Sequence, residues 1–320
     1  MKPRGSRSEI RKRFRTRNAA FREILENLEK VAAHDVSILL TGESGVGKDE
    51  MAEAIHLTSP RRDRPLVRID CASLPAELFE SELFGYEKGA FTDAQARKLG
   101  KLELAQGGSV YFDEVSAIAP LLQAKLLRVI QEKKFNRLGG SNNVNLDVRF
   151  ISSSNVPLKR LMESSEFRTD LFYRLNVVTF HLPPLRARRE DIADLVPAFV
   201  SEASERFQKP IEGIEPEAMS LLQAFRWPGN VRQLRSVIER AVLLETTSSL
   251  TGSSLPQEDF VEPPDWIDAG LTQDWTLDQL ESGYIREVLR RTGENYSKAA
   301  KILGINRKTL LEKRKRYGMH

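Results

Sequence analysis

The hydrophobic and polar positions of this chain follow two alternating patterns over its first half. Short apolar runs, typical of buried parallel strands, recur between segments with helical periodicity. We predict strands over the runs Val36–Leu40, Leu66–Ile69, Val110–Phe112, Val148–Ser152 and Val177–Leu182. Apolar residues at helical spacing predict helices over Phe21–Ala33 and Asp49–Leu57. Strands that alternate with helices predict an α/β fold with a parallel sheet.

The pattern changes in the second half of the chain. Residues 189–244 have helical periodicity throughout, with breaks at Pro210, Gly213 and Trp227-Pro228-Gly229. Serine, glycine, proline and acidic residues with little periodicity follow, which is typical of a linker. The predicted organisation is a basic tail (1–17), an α/β domain (18–188), a helical lid (189–244), a linker (245–273) and a small all-α domain (274–320).

Composition restricts the class of protein. Of the 320 residues, 40% are hydrophobic and 29% are charged, which is typical of a soluble globular protein. No apolar run approaches the roughly 18 residues of a membrane span, and the N-terminus lacks the apolar stretch of a signal peptide. Cys71 and four scattered histidines make neither an intramolecular disulfide nor an ordinary zinc site. We therefore expect a cytoplasmic protein that does not contact the membrane.

The net charge of +4 is unevenly distributed along the chain. Residues 1–17 carry +7 and residues 284–320 carry +8, which leaves −11 for residues 18–283. Local positive charge of this kind suits a polyanion such as nucleic acid. The alternative is a disordered basic tail and a solvated helix face. For residues 1–17 neither interpretation is favoured, whereas a helical motif at the C-terminus favours nucleic acid there.

A glycine-rich segment directly follows the first predicted strand and opens a helix, which is the context of a phosphate-binding loop. The segment consists of Gly42, Glu43, Ser44, Gly45, Val46, Gly47, Lys48 and Asp49. Its backbone N–H groups and the helix N-terminus would surround the phosphates of a nucleotide, and Lys48 would reach the β- and γ-phosphates. Asp49 stands where serine or threonine usually binds Mg²⁺, and a carboxylate can hold this ion directly or through water. A chance glycine-rich turn is the alternative, which the order of strand, loop and helix disfavours.

A second apolar strand ends in two acidic residues, Asp113 and Glu114. Acids at the carboxyl end of a parallel strand face the ligand crevice. Asp113 suits a Mg²⁺ ligand, and Glu114 suits the base that polarises an attacking water. Together with the phosphate-binding loop, this pair predicts an enzyme that hydrolyses a nucleoside triphosphate, with Mg²⁺ as a cofactor.

Several motifs in order resemble the AAA+ activators of sigma-54 RNA polymerase, the bacterial enhancer-binding proteins. The motifs are Glu80–Ala94, Phe167–Leu175, Leu182–Arg186 and Trp227–Leu234. The resemblance extends from about residue 18 to the end of the chain. It implies an AAA+ P-loop domain with a parallel sheet and a helical lid.

The resemblance also implies a surface loop that contacts sigma-54. Its residues are Gly89, Ala90, Phe91, Thr92, Asp93 and Ala94, with Phe91 and Thr92 as the main contacts. Asp93 stands where the family usually has glycine, which adds a charge and removes backbone freedom. The alternative for Phe91 is an ordinary core aromatic, although its neighbours favour an exposed loop.

Four further residues receive nucleotide-related roles from the resemblance. Arg168 and Arg174 match arginine fingers that reach the ATP of a neighbouring subunit, which implies self-association from a dimer to a hexameric ring. Ion pairing of these arginines with Asp170 or Glu166 is the alternative. Asn155 matches the first sensor, which orients water or reads the γ-phosphate.

Arg232 matches the second sensor on the lid. Asp70 stands where the family usually has an asparagine that restrains the catalytic glutamate, so an acid near Glu114 suggests that this switch works differently here.

The C-terminal domain resembles the Fis-type helix-turn-helix of the same family. Its helices are predicted over Leu277–Arg291, Ser297–Leu303 and Arg307–Tyr317, with Gly304-Ile305-Asn306 as the turn and Asn306 as the N-cap. The expected DNA-binding residues are Arg307, Lys308, Lys313, Arg314, Lys315 and Arg316. The first two lie where base contacts are usual, and the later ones are expected to contact phosphates.

The predicted function is that of an ATP-hydrolysing activator that binds upstream double-stranded DNA and remodels sigma-54 polymerase closed complexes into open complexes. The alternative is a DNA-binding regulator whose P-loop domain only assembles on ATP, and Asp93 keeps this alternative open. A small-molecule kinase is disfavoured because nothing resembles an acceptor pocket. No receiver or sensing domain precedes residue 18, so regulation is expected from a protein acting in trans, from expression level or from a domain outside this chain.

Overall fold

The computed structural model describes residues 9–92, 94–256 and 275–319. The chain divides into two units, Met1–Pro256 and Gln257–His320. The α/β part of the first unit contains α1 (Glu9–Arg13), α2 (Ala19–Ala32), β1 (Ile38–Thr41), α3 (Lys48–Thr58), β2 (Leu66–Asp70), α4 (Ala76–Phe84), β3 (Gly85–Tyr86), β4 (Lys98–Leu99), α5 (Lys101–Leu104), β5 (Ser109–Asp113), α6 (Pro120–Glu132), β6 (Lys134–Asn136), β7 (Asn143–Asn145), β8 (Arg149–Ser154), α7 (Leu158–Glu163), α8 (Thr169–Leu175) and β9 (Val178–His181).

Five strands form the main sheet, in the order β2-β5-β8-β1-β9, and all neighbours are parallel. The predicted α/β fold and its five strands are confirmed, with bounds within two residues of the expectation. Alternate residues of β5 enter the cores on opposite faces of the sheet: Val110 and Phe112 on one face, Tyr111 on the other. Because the sheet is buried on both faces, its strands are apolar runs rather than alternating ones.

This strand order brings the chemically important loops to one edge. In register, Thr41 at the end of β1 pairs with Ser154 of β8, and Asp70 of β2 pairs with Asp113 of β5. The carboxyl ends of four parallel strands therefore open onto one crevice, where open α/β sheets bind ligands.

Residues 9–17 belong to this unit, so the predicted boundary after residue 17 does not coincide with the fold. Ile10 of α1 is fully buried against the core beneath α2 and α3. The cations around it pair with carboxylates of the body, as in Arg13–Glu53 (2.6 Å) and Arg17–Asp194 (2.5 Å). An apolar anchor and fixed counter-charges explain why a strongly basic segment packs here instead of forming a tail. Residues 1–8 lie outside the described residues.

The lid comprises α9 (Ile192–Phe207), β10 (Gly213–Ile214), α10 (Pro216–Ala224), α11 (Asn230–Leu244) and β11 (Ser249–Leu250). It extends past the predicted end at residue 244, because β11 pairs in parallel with β10 and buries Leu250. The buried carboxylate of Glu245 accepts N–H bonds from Thr246 and Thr251, both at 2.8 Å. The serine- and threonine-rich run that suggested a linker therefore forms a folded turn up to Pro256, and residues 257–274 lie outside the described residues.

The second unit consists of α12 (Leu277–Arg291), α13 (Tyr296–Ile302) and α14 (Arg307–Arg316). Ala299 and Ala300 are buried between α12 and α14, where small side chains allow the helices to approach closely. Asn306 caps α14 by accepting a bond from the backbone N–H of Thr309 at 2.8 Å. The predicted helical domain is confirmed. Among the described residues, no helix has the length and apolar character needed to cross a membrane.

Candidate functional site

The glycine-rich loop between β1 and α3 lies at the carboxyl edge of the sheet, against the lid. Gly45 and Gly47 have φ values of +77° and +103°, which side chains disfavour. A Cβ atom at Gly45 would lie 2.3 Å from the carbonyl oxygen of Gly229 in the lid. Gly47 is the N-cap of α3 and provides no capping side chain, so the first N–H groups of this helix are available to an anion.

Lys48, the first residue of α3, is buried where the loop meets this helix, with only 6% of its side chain exposed. Its ammonium group donates to the carbonyl oxygens of Gly42 (2.9 Å) and Glu43 (3.3 Å). The same nitrogen lies 3.2 Å from Oε1 of Glu114. The structure thus brings the predicted phosphate-binding cation and the predicted catalytic base into direct contact.

Glu114 is held in an uncommon backbone conformation directly after β5, with φ of +57°. Its N–H donates to Oγ of Ser153 at 3.0 Å, and its Oε2 accepts a bond from the backbone N–H of Asn155 at 2.8 Å. Asn155 therefore lies beside Glu114, which it contacts through its backbone N–H. Asp70 lines the same cleft, and its Oδ1 accepts the N–H of Ala72 at 3.0 Å.

The two predicted magnesium ligands, Asp49 and Asp113, lie side by side. The hydroxyl of Tyr111 is 3.0 Å from Oδ1 of Asp49 and 3.1 Å from Oδ1 of Asp113. Burial acts to raise the pKa of Asp113, but hydrogen bonds from Ser153 and Arg68 outweigh it and the pKa is lowered. Two neighbouring carboxylates provide the oxygen ligands that Mg²⁺ prefers.

The lid contacts the loop through residues of α11. Arg232 donates its backbone N–H to the carbonyl oxygen of Gly45 (3.2 Å) and a guanidinium N–H to Oγ of Ser44 (3.1 Å). Asn230 is buried and donates to the carbonyl oxygen of Ser44 (2.9 Å) and to Glu43 (3.1 Å). The predicted second sensor is thus in direct contact with the phosphate-binding loop.

Sequence reasoning missed the ion pair that reinforces this contact. Arg186 binds Glu43 through both terminal nitrogens, at 2.5 and 2.7 Å. The hydrogen bond from Arg186 is the main cause that lowers the pKa of Glu43. Arg186 and Asn230 both lie inside motifs that carried the family resemblance. The sequence therefore contained both residues in recognisable motifs but did not indicate that they contact the phosphate-binding loop.

A cleft of about 850 Å³ opens beside the loop. Its polar lining includes Lys48, Asp113, Glu114, Asn155 and Arg232. Its apolar lining, which sequence reasoning did not anticipate, includes Phe14, Val46, Leu195, Phe199 and Val231. A cleft with phosphate-binding groups at one end and apolar side chains nearby suits a nucleotide.

The predicted sigma-54 loop is a closed turn on the surface. The N–H of Gly89 donates to the carbonyl oxygen of Ala94 at 2.9 Å. Phe91 is 44% exposed, and its ring packs edge-on against Tyr86 with 4.8 Å between centroids. The side chain of Phe91 is therefore available at the surface and is not a core aromatic. Asp93 lies outside the described residues.

Three parts of the chain match known protein families. Residues 14–181, more than half of the chain, match the model of the sigma-54 interaction domain. This chain belongs to the sigma-54 activator family. Residues 186–266 match the AAA+ ATPase lid domain, and residues 276–317 match the bacterial regulatory proteins of the Fis family. The expected family, AAA+ fold and helix-turn-helix are confirmed.

Individual relatives agree with this family. The transcriptional regulatory protein ZraR of Klebsiella oxytoca is 44% identical over 294 residues, which are 92% of this chain and 66% of ZraR. The regulatory protein AtoC of Escherichia coli K12 is 41% identical, over 95% of this chain and 67% of AtoC. The crystal structure of NtrX from Brucella abortus in complex with ATP is 36% identical, with a TM-score of 0.70 over 96% of this chain and 69% of NtrX. The chain thus spans about two thirds of the length of these relatives.

The two arginines that match the family's fingers do not line the cleft of their own subunit. Arg168 and Arg174 are exposed at the two ends of α8. Arg168 binds Asp170 through Nε (3.1 Å) and Nη2 (2.8 Å). The surface ion pair that the sequence left as an alternative is therefore present within this chain.

The cations of α14 have different surroundings at its two ends. In the C-terminal half, Lys313 pairs with Glu281 (2.7 Å) and Arg316 with Asp278 (2.8 Å), and Arg314 donates to the hydroxyl of Tyr296 (2.7 Å). At the N-terminal end Arg307 and Lys308 are exposed, as is Lys315 among the paired cations of the C-terminal half, and none of these three forms an ion pair within residues 275–319. The N-terminal end of α14 thus presents free positive charge, as the Fis family match leads one to expect.

Proposed function

We propose that this protein is an ATPase that binds upstream DNA and remodels sigma-54 RNA polymerase closed complexes into open complexes in the cytoplasm. The observation that carries this proposal is the buried ammonium of Lys48, 3.2 Å from the carboxylate of Glu114 and beside the uncapped N-terminus of α3. This arrangement combines phosphate binding with a base for water. The ATP complex of the relative NtrX supports the choice of nucleotide.

In this proposal each polar residue of the cleft has one task. Lys48 and the loop N–H groups bind the β- and γ-phosphates, and Arg232 senses the nucleotide from the lid. Glu114 accepts the proton of the attacking water, and the side chain of Asn155 orients that water. Asp49 and Asp113 would hold Mg²⁺, which when bound supplies charge neutralisation to the phosphates.

Assembly into a ring would complete the site. Arg168 and Arg174 are exposed and lie away from their own cleft, so they are free to approach the ATP of a neighbouring subunit. The pair with Asp170 does not prevent this, because exposed ion pairs contribute little. Such fingers raise the rate about 10³–10⁵-fold in phosphoryl transfer. Specific ATPase activity should therefore increase with protein concentration as subunits assemble, up to a hexamer in the family pattern.

Subunit mixing tests the fingers directly. Arg168→Ala subunits mixed with parental subunits should reduce activity by more than simple dilution allows. The matched control is Arg128→Ala, which removes another exposed arginine that pairs with a neighbouring acid on its own helix. Loss in proportion to dilution would contradict fingers acting between subunits.

Transcription tests the proposal as a whole. With sigma-54 polymerase and ATP, the parental protein should form open complexes, and Glu114→Gln should bind ATP and hydrolyse it about a thousandfold more slowly. Phe91→Ala should keep ATPase activity and DNA binding yet form no open complexes, because the exposed ring is proposed to contact sigma-54. The control is Leu121→Ala, which trims an exposed apolar residue of α6.

Two results would contradict parts of the proposal. An active Phe91→Ala protein would exclude the loop contact. A parental protein that binds ATP and DNA but forms no open complexes would indicate the alternative, a regulator that only assembles on ATP. In that case Asp93→Gly, which restores the usual family loop, should gain sigma-54 binding. A regulatory protein acting in trans would be sought among partners that change ATPase activity.

A further inference from the structure

Arg68 is a cation of the nucleotide site for which the sequence pattern predicts no role. It lies on β2, the edge strand of the sheet, and its side chain points along the carboxyl-edge crevice. Its Nη2 atom lies 2.7 Å from Oδ2 of Asp49 and also donates to Oδ2 of Asp113. One nitrogen atom is therefore shared by the two carboxylates proposed to hold Mg²⁺.

Arg68 and Tyr111 divide the oxygens of the carboxylate pair between them. The hydroxyl of Tyr111 lies at both Oδ1 atoms, while the guanidinium of Arg68 lies at both Oδ2 atoms. The guanidinium carbon is 5.8 Å from the centre of the Tyr111 ring. The four side chains thus form a closed ring of contacts in which Arg68 supplies the positive charge.

The members of this ring differ in their freedom to move. The carboxylate of Asp113 is 13% exposed, and that of Asp49 is 29% exposed, whereas the side chain of Arg68 is 51% exposed. Asp113 is also fixed by the hydroxyl of Ser153 at 2.8 Å. A long, half-exposed side chain on an edge strand can leave, whereas the two acids stay in place.

We propose that Arg68 is an internal counter-cation that competes with Mg²⁺ for the Asp49–Asp113 pair. The assignment of this pair to magnesium rests on the proposed function. Without the divalent ion, Arg68 neutralises part of the repulsion between two neighbouring carboxylates. Direct binding of Mg²⁺ to the Oδ2 atoms requires Arg68 to release them, so the arginine raises the ion concentration that the site requires.

Binding of Mn²⁺ to the full chain without nucleotide, followed by electron paramagnetic resonance, tests the competition. Arg68→Gln should bind Mn²⁺ about fivefold more tightly than the parental protein, the size expected for losing a half-exposed competing ion pair. Arg68→Lys should remain near the parental affinity, because both contacts run to one nitrogen atom. The charge-matched control is Arg62→Gln, since Arg62 is exposed and pairs with Asp63 on the surface; it should leave Mn²⁺ affinity unchanged.

The outcomes separate this proposal from the proposed function. Tighter Mn²⁺ binding in Arg68→Gln supports competition, because a merely structural defect would weaken the site. Equal or weaker binding in Arg68→Gln, including no binding by either protein, overturns it. A fluorescent ADP analogue added in EDTA tests nucleotide binding separately. A parental protein that fails to bind the analogue contradicts the proposed ATPase and leaves the Mn²⁺ comparison decisive for Arg68.

Discussion

The two basic ends of the chain carry nearly equal charge, yet they have different surroundings. Residues 1–17 carry +7 and residues 284–320 carry +8. In the first segment three of the four described arginines pair with the ATPase body, as Arg11–Glu29, Arg13–Glu53 and Arg17–Asp194, whereas Arg15 is exposed and forms no ion pair with the described residues. In the second, the cations at the start of α14 have no such partner among the described residues of their unit. Charge excess alone therefore does not identify a nucleic-acid surface.

What distinguishes the two segments is the position of acids on the elements that pack against them. Helix α2, helix α3 and the start of the lid each present a carboxylate to the N-terminal segment. Helix α12 presents Asp278 and Glu281 to the C-terminal half of α14, and within residues 275–319 no acid of α12 pairs with Arg307 or Lys308. Cations in the C-terminal half of α14 are therefore held by ion pairs, whereas those at its N-terminal end are available to a polyanion.

The largest expected effect comes from the open end. The double variant Arg307→Ala/Lys308→Ala should weaken site-specific DNA binding about a thousandfold, at roughly 2 kcal/mol for each side chain removed. The salt dependence should also become shallower, by about 0.9 for each phosphate that is no longer neutralised. Fluorescence anisotropy with a labelled duplex at several salt concentrations measures both quantities.

The control removes the same charge from the other basic segment. Arg11→Ala/Arg13→Ala should bind DNA as the parental protein does, because its arginines are engaged with Glu29 and Glu53. An equal loss of affinity in both double variants would mean that the N-terminal segment also binds DNA, and the distinction between the two ends would fail.

A smaller effect concerns the anchor of the N-terminal segment. Ile10→Ala should lower the free energy of unfolding by about 3 kcal/mol, because it leaves a cavity at a fully buried site. Nucleotide affinity should fall as well, since α1 packs on α3, the helix that begins with Lys48. Urea unfolding followed by circular dichroism, with the exposed Ile302→Ala as control, measures the change. An unchanged unfolding midpoint would show that residues 9–17 do not stabilise the fold and behave as a tail.

The sequence predicted the parts of the site whose geometry is set by residues that are close together in the chain. The strand, glycine loop and helix around Lys48 follow one another directly, so their geometry is set over a few residues. The roles of Asp113 and Glu114 could be predicted equally well, because parallel strands bring their carboxyl ends to one edge. The anchor Ile10 and its neighbour Phe14 have helical spacing, but the surrounding charge concealed this signal.

Residues that act through tertiary contacts could not be predicted from the local sequence. Arg68 meets Asp113 across 45 positions of the chain, and Arg186 meets Glu43 across 143. Nothing in the local pattern of an edge strand distinguishes an arginine that faces solvent from one that bridges two carboxylates. The register of β2 against β5 pairs Arg68 with Tyr111, and this places the arginine beside the two carboxylates.

The smallest expected effect is the pH dependence of the tethered cations. The hydrogen bond from Arg13 is the main cause that lowers the pKa of Glu53, and the bond from Lys313 likewise lowers the pKa of Glu281. A carboxylate whose pKa is lowered on folding contributes stability above its unfolded pKa of about 4.3, and this contribution is lost as the pH falls through the folded value. Arg13→Gln and Lys313→Gln should therefore be less stable than the parental protein at pH 7, by about 0.5 kcal/mol or less for such exposed pairs. The difference should shrink as the pH falls below about 4, where the acids become protonated and the pairs are lost in every variant.

Lys308→Gln, which breaks no ion pair within the described residues, should show no such difference at either pH. Urea midpoints at pH 7 and pH 3.5 measure all three variants, and a pH-dependent loss in Lys308→Gln would show that the open end of α14 is tethered after all.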